Sequence, residues 1–382
     1  MKPRILVVSY SDIASDARVL RQVNKLAARA EVTTLSYGSR VEAAADHIAI
    51  PRGAASLPQS LRGVCLLALH AHRAAERRVP GFAAVADSLA GRRWDMVVAN
   101  DARALPLAFA AAAGAPVWVD LHEWAPEERS HVFVWRLLVR PYIVSLCRRY
   151  LPQVSAATTV GPRIAALYDK TFGIRPQVLR NMPAYADLRP GDVDAQRIRW
   201  VHSGGAIPGR NLEAMIEAAR RLEEDVELHL YLVPAQDGGE YMRTLRKAAG
   251  EATNVFFHRP VAPRDLPATL NRYDVGTFWI PPFNTNAELT LPNKIFDFIQ
   301  ARLALAIGPS VEMVDLVHEW ANGVVAPSCE VDAIVEKMRT VTREDVAAMK
   351  AASHEAARVL NFDRESKVID DIVDRLTGGA DA

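Results

Sequence analysis

Three stretches of the sequence place chemically capable side chains directly after apolar runs. The first, residues 202–211, reads His-Ser-Gly-Gly-Ala-Ile-Pro-Gly-Arg-Asn. Glycines that follow a strand let the backbone approach a ligand closely, and the guanidinium of Arg210 can bind two phosphate oxygens at once. An ordinary strand-to-helix turn with an exposed arginine is the alternative interpretation of these residues.

The second stretch, residues 286–297, reads Asn-Ala-Glu-Leu-Thr-Leu-Pro-Asn-Lys-Ile-Phe-Asp. Pro292 suits the first turn of a helix, where the free amides and the helix dipole form an anion site. Lys294 adds a positive charge, and Asp297, one turn further along, is placed to bind a ribose diol. A capped helix with a solvated lysine and aspartate is the alternative.

The third stretch, residues 119–126, reads Val-Asp-Leu-His-Glu-Trp-Ala-Pro and brings three titratable groups within four residues. Such a group at the end of a strand is a candidate active site. A buried, hydrogen-bonded His122 with two exposed carboxylates would give the same pattern.

Alternating strand and helix patterns position these stretches. Short apolar runs are separated by helical stripes of 10–15 residues, which predicts parallel sheets with crossover helices. Residues 182–197 are polar and follow neither period, and the alternation restarts after them. We therefore expect two α/β halves, each binding ligands at the carboxyl ends of its strands. The predicted strands are 5–8, 31–36, 94–99, 116–121, 154–160, 177–180, 198–202, 226–233, 254–258 and 274–280, and a helix is expected from about Pro292.

The composition excludes several classes of protein. The 382 residues are half apolar and carry 46 basic and 45 acidic side chains, a balance that argues against a nucleic-acid binder. The three cysteines, Cys65, Cys147 and Cys329, form no C-x-x-C pair, so no metal site is expected, and their usage fits a reducing compartment. No apolar stretch reaches about 18 residues, and the N-terminal apolar run is too short for a signal peptide. A cytoplasmic protein is expected.

Five ordered segments resemble the family-four retaining glycosyltransferases. Asp16-Ala17-Arg18-Val19 is similar to the family's D-x-R-V, and residues 120–123 to its D-x-H-E. Asn181-Met182-Pro183 is similar to N-x-P, and residues 291–297 to L-P-N-K-hydrophobic-F-E. Gly204, Gly205 and Arg210 stand where the family binds diphosphate.

The resemblance implies an α/β fold of two Rossmann-like doubly wound domains facing a cleft, the GT-B architecture. An N-terminal acceptor domain is expected over residues 1–183 and a linker over 184–197. A nucleotide-sugar domain is expected over 198–360, and residues 361–382 are expected to form a C-terminal helix that packs back on the first domain.

The same resemblance implies a hexosyl-type glycosyltransferase that uses a nucleotide-sugar donor as substrate and no cofactor. By the same resemblance, transfer would proceed with retention and without metal. Since no covalent nucleophile is evident, the acceptor is expected to attack the face of the sugar from which the diphosphate leaves. Arg210 and Lys294 would neutralise the leaving diphosphate, and His122 would face the transferred sugar. The other donor-binding residues are expected to be Gly204, Gly205, His258 beside the base, Glu288, the backbone at Thr290 and Leu291, Asn293, and Asp297 at the ribose.

Two departures from the family pattern leave the sugar and the acceptor open. The family often carries a second acid, with seven residues between it and the ribose ligand; here that position is Leu289, and Glu288 lies one residue earlier. The loop after the first strand lacks glycines found in some members. A UDP, GDP or dTDP donor remains undecided. The acceptor-side candidates are Asp12, Asp16, Arg18 and Glu123.

Two other functions stay open: a sugar-nucleotide epimerase of the same architecture, and a catalytically silent sugar-nucleotide-binding partner protein. The acceptor could be a carbohydrate, a lipid-linked molecule or a small molecule. Residues 60–78 and 129–150 place arginines among apolar side chains, which would suit peripheral contact with the inner face of a membrane. Crossover helices with solvated arginines would also explain both stretches. The oligomeric state is not predicted.

Overall fold

The chain folds into two α/β units. The computed structural model describes residues 2–235 and 237–378. Unit 1 comprises Met1–Arg180 and Ser366–Ala382, and unit 2 comprises Asn181–Glu365. The predicted boundaries differ: the chain passes into unit 2 after Arg180 rather than after residue 183, and it returns to unit 1 at Ser366 rather than at residue 361.

Unit 1 is built on a seven-stranded sheet in the order β3-β2-β1-β4-β5-β6-β7, with every neighbouring pair parallel. Its strands are β1 Arg4–Asp12, β2 Glu31–Tyr37, β3 Asp46–Ala49, β4 Met96–Asn100, β5 Val117–Leu121, β6 Ala156–Thr159 and β7 Gln177–Val178. Its helices are α1 Ala17–Ala27, α2 Leu61–Ala68, α3 His72–Glu76, α4 Pro80–Ala83, α5 Ala86–Leu89, α6 Leu105–Ala112, α7 Arg140–Tyr150 and α8 Pro162–Phe172, with a π turn at Trp135–Val139 before α7.

Unit 2 holds a six-stranded parallel sheet in the order β10-β9-β8-β11-β12-β13. Its strands are β8 Ile198–Ala206, β9 Val226–Pro234, β10 Val255–His258, β11 Val275–Phe278, β12 Ala304–Ile307 and β13 Gly323–Val325. Its helices are α9 Leu212–Arg220, α10 Glu240–Ala249, α11 Leu266–Leu270, α12 Thr285–Glu288, α13 Asn293–Gln300, α14 Val311–Trp320, α15 Val331–Thr340, α16 Arg343–Val359 and α17 Phe362–Glu365.

The central strands are continuous apolar runs because helices cover both faces of a parallel sheet. All five residues of β4 and all four of β12 are buried. The helices bury one stripe each. In α1, the Asp16 side chain accepts a hydrogen bond from the amide of Val19 and so caps the first turn, and Val19, Val23 and Leu26 enter the core.

A further helix, α18 Lys367–Thr377, returns to unit 1 after unit 2 is complete. Lys25 and Arg29, at the end of α1, form ion pairs with Asp370 of α18 at 2.7 Å and 3.4 Å, and Arg29 also pairs with Asp374. These contacts tie α18 to the first crossover helix of unit 1.

The segment predicted as a linker, residues 184–197, is packed into unit 2. The buried guanidinium of Arg302 donates to the carbonyl of Ala186 at 2.5 Å, and Arg343 donates to the carbonyl of Asp194 at 3.1 Å. The side-chain amide of Asn271 donates to the carbonyl of Arg189 at 2.9 Å. The segment is aperiodic because side chains from distant elements, rather than a helix or sheet of its own, satisfy its backbone.

No helix within residues 2–235 and 237–378 combines the length and the apolar character needed to cross a bilayer.

Candidate functional site

A buried carboxylate, Asp120 at the end of β5, organises the first group of polar residues in unit 1. Arg18 of α1 donates to its two oxygens at 2.8 Å and 2.6 Å, and Thr158 of β6 donates at 2.7 Å. Burial would raise the pKa of this carboxyl, but the charge of Arg18 and the hydrogen bond from His122 outweigh it and hold the pKa well below its usual value. Asp120 is therefore a fixed negative charge.

His122 lies between the carboxylates of Asp120 and Asp101. Its Nε2 is 3.5 Å from Asp120 Oδ2 and 3.2 Å from Asn100 Oδ1, and its Nδ1 is 3.4 Å from Asp101 Oδ2. Burial works to lower the pKa of this imidazole, yet the carboxylates of Asp101 and Asp120 raise it above its ordinary value. His122 is thus poised to carry a positive charge, with part of its ring open to solvent.

Asp101 contributes through its backbone as well as its side chain. It has φ of 68°, a conformation that costs a non-glycine residue free energy. Its Oδ1 accepts the backbone amide of His122 at 3.0 Å, and its own amide donates to the carbonyl of Asp120 at 2.8 Å. The strained backbone is held by these contacts and fixes both the position and the charge of His122.

Glu123, next to His122, carries a perturbed carboxyl group. Burial, with the nearby charges of Asp101 and Glu128, raises the pKa of Glu123 to about 8. The pKa of Glu128 is also raised, chiefly by burial, although Arg103 donates to it at 3.0 Å. Glu123 is therefore protonated at neutral pH and is a hydrogen-bond donor rather than the exposed carboxylate of the alternative interpretation.

The other acceptor-side candidates are engaged in local structure. Asp16 caps α1 as described, and Asp12 accepts from the amide of Ala14 at 3.2 Å. Arg18 is buried and bound to Asp120, so it acts on His122 through that carboxylate. These hydrogen bonds hold Asp12 and Asp16 at the turn before α1 rather than in the His122 group.

In unit 2, two cations converge on the glycine pair of β8. The strand extends to Ala206, beyond the end predicted at His202, because Gly204 and Gly205 still pair with Leu232 and Val233 of β9. Gly204 has φ of 141°, and a Cβ atom there would collide with the side chain of Lys294. A Cβ on Gly205 would lie 4.0 Å from a terminal nitrogen of Arg210. The backbone at these glycines is thus covered directly by positive charge.

These two cations lack the counter-ions that such burial normally requires. Within the described part of the chain, neither Lys294 nor Arg210 has a carboxylate oxygen within 4.0 Å. Burial and the neighbouring Arg210 lower the pKa of Lys294 to about 8, despite the attraction of Asp297. His202, on the same strand as the glycines, has its pKa lowered to about 3 by burial and by both cations, so it is neutral. The site is arranged to receive an anion.

The segment before α13 places several of the predicted donor-binding residues at the start of that helix. Pro292 is the residue that caps α13 rather than a member of its first turn, and it supplies no capping side-chain hydrogen bond. Leu291 is buried in the core, which anchors the start of the helix. The predicted site residues of this segment differ in exposure: Glu288 and Asn293 are exposed, and Thr290, Lys294 and Asp297 are half-buried.

Glu288 ends α12, where its carbonyl accepts from Ser310 at 2.7 Å. Within the described residues its carboxylate forms no hydrogen bond or ion pair. Leu289, at the position where the family often has an acid, is half-buried.

His258 ends β10 within a group of aromatic side chains. Its ring stacks on Tyr231 at 4.6 Å between centroids, and its Nε2 is 3.0 Å from Nδ1 of His229. Burial and the charge of Arg272 lower the pKa of His258. The neutral, stacked imidazole forms part of a flat surface at the carboxyl end of the sheet.

The side-chain amide of Gln22 also donates to Asp120 at 3.4 Å and accepts from Asn100 at 3.0 Å. Several residues of the His122 group were not predicted: Gln22, Asn100, Asp101, Arg103, Glu128 and Thr158. Asn100 ends β4 and Asp101 follows it. Ligand-binding residues gather at the carboxyl ends of neighbouring parallel strands, and this rule is the signal that could have found both. No group of three or more His, Cys, Asp or Glu side chains suited to a metal ion occurs among the residues that the structure describes.

Comparison with known proteins gives a structural likeness only. No protein-family model matches the sequence, and no curated protein is significantly similar to it. The chain is similar in structure to HepE of Anabaena, solved in complex with UDP and glucose, with a TM-score of 0.70, 15% identity, and coverage of 98% of this chain and 100% of that one. It is also similar to the sucrose-phosphate synthase of Thermosynechococcus elongatus (TM-score 0.73, 11% identity, 99% and 100% covered) and to WaaG, a glycosyltransferase involved in lipopolysaccharide biosynthesis (TM-score 0.67, 15% identity, 98% and 100% covered).

These likenesses extend over both units rather than one. Each neighbour matches nearly the whole of this chain and the whole of its own. Two parallel sheets with flanking helices are the architecture expected from the ordered motifs. The chain has the GT-B fold found among glycosyltransferases.

Proposed function

We propose that the protein is a glycosyltransferase that moves a hexosyl group from a nucleotide-sugar donor to an acceptor, with retention and without a metal ion. The observation that carries this proposal is the pair of half-buried cations, Lys294 and Arg210, over the glycine backbone of β8. Burial of a charge costs free energy unless a partner offsets it. A diphosphate supplies that partner.

The charge that develops as a nucleoside diphosphate leaves also suits the positions of Lys294 and Arg210. As the bond between the sugar C1 and the diphosphate oxygen breaks, negative charge grows on the leaving oxygens. Fixed cations and the free amides at the start of α13 stabilise that charge without reorganising, and in many enzymes such preorganised stabilisation contributes more to the rate than any other effect. In the proposed retaining reaction, the acceptor oxygen attacks the same face and gives its proton to the leaving phosphate.

In this proposal, unit 1 recognises the hydroxyl groups of the transferred sugar or acceptor. The fixed carboxylates of Asp101 and Asp120 favour a charged His122, which can donate a hydrogen bond to a hydroxyl oxygen. The protonated Glu123 is a second donor. Neither group needs a metal ion for this role.

We assign the nucleotide to unit 2. Asp297 lies one helical turn beyond Lys294, where its carboxylate can accept from ribose hydroxyls, and the stacked His258 surface is suited to the flat base. HepE, one of the structural neighbours, was solved with UDP, so UDP is the first donor nucleotide to test. GDP and dTDP remain alternatives.

The proposal places the enzyme in the cytoplasm, with peripheral contact at the inner face of the membrane. Support for a reducing compartment comes from its three cysteines, which are all free.

A thermal-shift panel with EDTA tests the donor site. UDP, GDP, ADP, CMP and dTDP are compared, with the corresponding sugar nucleotides. A ligand that binds only the folded protein raises the melting temperature, and we expect one base class to do so. Arg210→Ala should abolish the shift, whereas Arg264→Ala, which removes an arginine that is 88% exposed elsewhere in unit 2, should preserve it.

Donor turnover then separates the functions. A transferase consumes the responding sugar nucleotide faster when acceptor is added and releases nucleoside diphosphate. Conversion of the sugar without acceptor would instead indicate an epimerase. Binding of the sugar nucleotide without turnover with any acceptor would indicate a silent binding protein. In the thermal-shift panel, an unchanged melting temperature with every ligand at millimolar concentration would overturn the donor-site assignment.

A further inference from the structure

One surface of unit 1, remote in sequence from the His122 group, combines strong positive charge with exposed apolar side chains. A cavity of about 620 Å³ is lined by His70, His72, Arg73, Arg136, Arg140 and Arg148, among others. We call it the arginine cavity. It lies between α2–α3 on one side and the π turn and α7 on the other, and α2 packs directly against the π turn.

The geometry of α7 explains the charge. Tyr142, Ile143, Leu146 and Cys147 face the core. Arg136 on the π turn and Arg140 and Arg148 on α7 stay exposed, and all three line the cavity. The crossover helix therefore buries one face, as the alternative interpretation expected, and places its arginines around a single cavity rather than scattering them in solvent.

Most of this charge is not neutralised by the protein. Arg149 pairs with Glu76 at 2.6 Å, and Arg140 pairs with Glu127 at 3.3 Å. In the described ranges, Arg73, Arg136 and Arg148 have no carboxylate within 4.0 Å. Burial, together with the neighbouring His70 and Arg149, lowers the pKa of His72.

An apolar rim adjoins the cavity. Leu61 at the start of α2 and Leu69 directly after it are 83% and 76% exposed, and Phe133, Val134 and Leu137 around the π turn are 59–65% exposed. Leu69 directly precedes the cavity residue His70, and the Phe133 ring lies 5.7 Å from the guanidinium of Arg136. Trp135 is buried and anchors the turn while its neighbours point outward. Exposed apolar groups gathered in one place mark an interaction surface.

We propose that the arginine cavity and its apolar rim dock unit 1 onto a bilayer that contains anionic phospholipid. Phosphate groups of the lipids would occupy the cavity, where guanidinium groups can bind them bidentately. The rim would enter the boundary between headgroups and acyl chains, as amphipathic peripheral segments do. A bilayer satisfies both features together, whereas a free phosphate ion would leave the rim in water.

A second copy of this chain fits the surface poorly. In a two-fold dimer the same patch meets itself, which would bring the two sets of arginines into contact. Like charges facing each other at an interface cost free energy. An anionic lipid surface has the complementary charge, so charge complementarity selects the bilayer. The docking rests on the peripheral membrane contact of the proposed function and names the surface that makes it, but it requires neither donor nor acceptor.

Vesicle sedimentation of the full-length chain tests this inference. Vesicles of phosphatidylglycerol and phosphatidylcholine at about 30:70 are compared with phosphatidylcholine alone. We expect sedimentation with the anionic vesicles only, weakening as salt shortens the range of the attraction. Arg136→Ala/Arg148→Ala should reduce the partition coefficient by about 25-fold, since each arginine near an anionic surface contributes about fivefold.

The rim is tested separately. Phe133→Ser/Leu137→Ser should reduce partitioning at least about tenfold, because both side chains are withdrawn from water in the docked state. Matched controls are Arg264→Ala and Val359→Ser, which alter an exposed arginine and a 40% exposed valine of unit 2. Both should sediment like the wild type, and circular dichroism should show that every variant is folded.

Three results would overturn the inference. The first is wild-type protein that stays in the supernatant with anionic vesicles at low salt. The second is stabilisation by inorganic phosphate through the arginine cavity without any partition onto vesicles, which would make the cavity a site for a free anion. The third is partition that the cavity and rim variants leave unchanged, which would place the membrane contact elsewhere.

Discussion

The low pKa of Lys294 makes the affinity for a nucleoside diphosphate depend on pH in a specific window. In the ligand-free protein its pKa is about 8, because burial and Arg210 oppose the charge. A bound diphosphate brings negative charge next to the ammonium and should restore its pKa towards the ordinary 10.5. Binding therefore takes up a proton wherever the free lysine is neutral and the bound lysine is charged.

The magnitude follows from this difference. The free lysine is charged in about three quarters of molecules at pH 7.5 and in about one in thirty at pH 9.5. Proton linkage then predicts a rise in Kd of about twentyfold between these values, close to 2 kcal/mol. The second ionisation of a phosphate group, near pH 6, is complete in this range, and His202 with its pKa of about 3 stays neutral.

Isothermal titration calorimetry at constant ionic strength measures this effect. UDP, or the diphosphate that gives the largest thermal shift, is titrated between pH 7.5 and 9.5. Repeating the titration at pH 8.5 in two buffers of different ionisation enthalpy counts the protons taken up. Lys294→Arg is the matched control, because a guanidinium keeps its charge throughout and should bind with little pH dependence.

A flat profile in the wild type would contradict the assignment of Lys294. If saturable binding persists and Kd changes less than about twofold over this window, Lys294 does not contact the diphosphate. In the ligand-free protein, the stability of the fold depends on the charge of Lys294 in the opposite sense: it rises with pH, whereas the affinity for the diphosphate falls. A lysine whose folded pKa lies below its unfolded value destabilises the fold below pH 8, and the penalty disappears as pH rises through 8 towards 10.5.

Three further changes test the two sites. Arg18→Met should lower the free energy of unfolding by about 3–5 kcal/mol, because it leaves Asp120 charged and buried; urea denaturation measures this, and a loss below about 1 kcal/mol would contradict the buried pair. Gly204→Ala should weaken nucleotide binding at least about tenfold, since φ of 141° and contact with Lys294 leave no room for a methyl group; calorimetry checks it against a folded control spectrum. His122→Ala should lower kcat/KM by about 30-fold to 1,000-fold with little change in nucleotide affinity; equal losses in both would move His122 out of its assigned role.

The architecture could be predicted from sequence because its signals are local. Continuous apolar runs mark strands that helices cover on both faces, and β1, β2 and β9 begin within a residue of their predicted starts. The strands β3, β12 and β13 were not predicted. Only two polar side chains, Gln300 and Arg302, separate β12 from the buried apolar residues of α13, and both are themselves buried. No change of pattern marks where the strand begins.

The candidate site was accessible from sequence only in part. His122 and Lys294 stand beside recognisable motif residues, whereas Asp101 reaches His122 through the pairing of β4 with β5. The backbone of Asp101 has no local signal in the sequence, since its φ of 68° and ψ of 161° lie in a region that is almost exclusive to glycine. The basic stretches 60–78 and 129–150 had two interpretations, and only side-chain exposure distinguishes a packed helix from a helix with an unburied rim.

The path of the chain has a consequence for biosynthesis. Unit 2 is inserted between the two segments that form unit 1, and α18 contacts α1 across more than 300 residues of intervening sequence. A nascent chain can complete unit 2 while unit 1 still lacks that helix, although domains usually mature in the order in which they are synthesised. Until residues 367–377 leave the ribosome, the basic end of α1 has no acidic partner in α18. Quality control during translation would therefore meet a finished second unit attached to an unfinished first one.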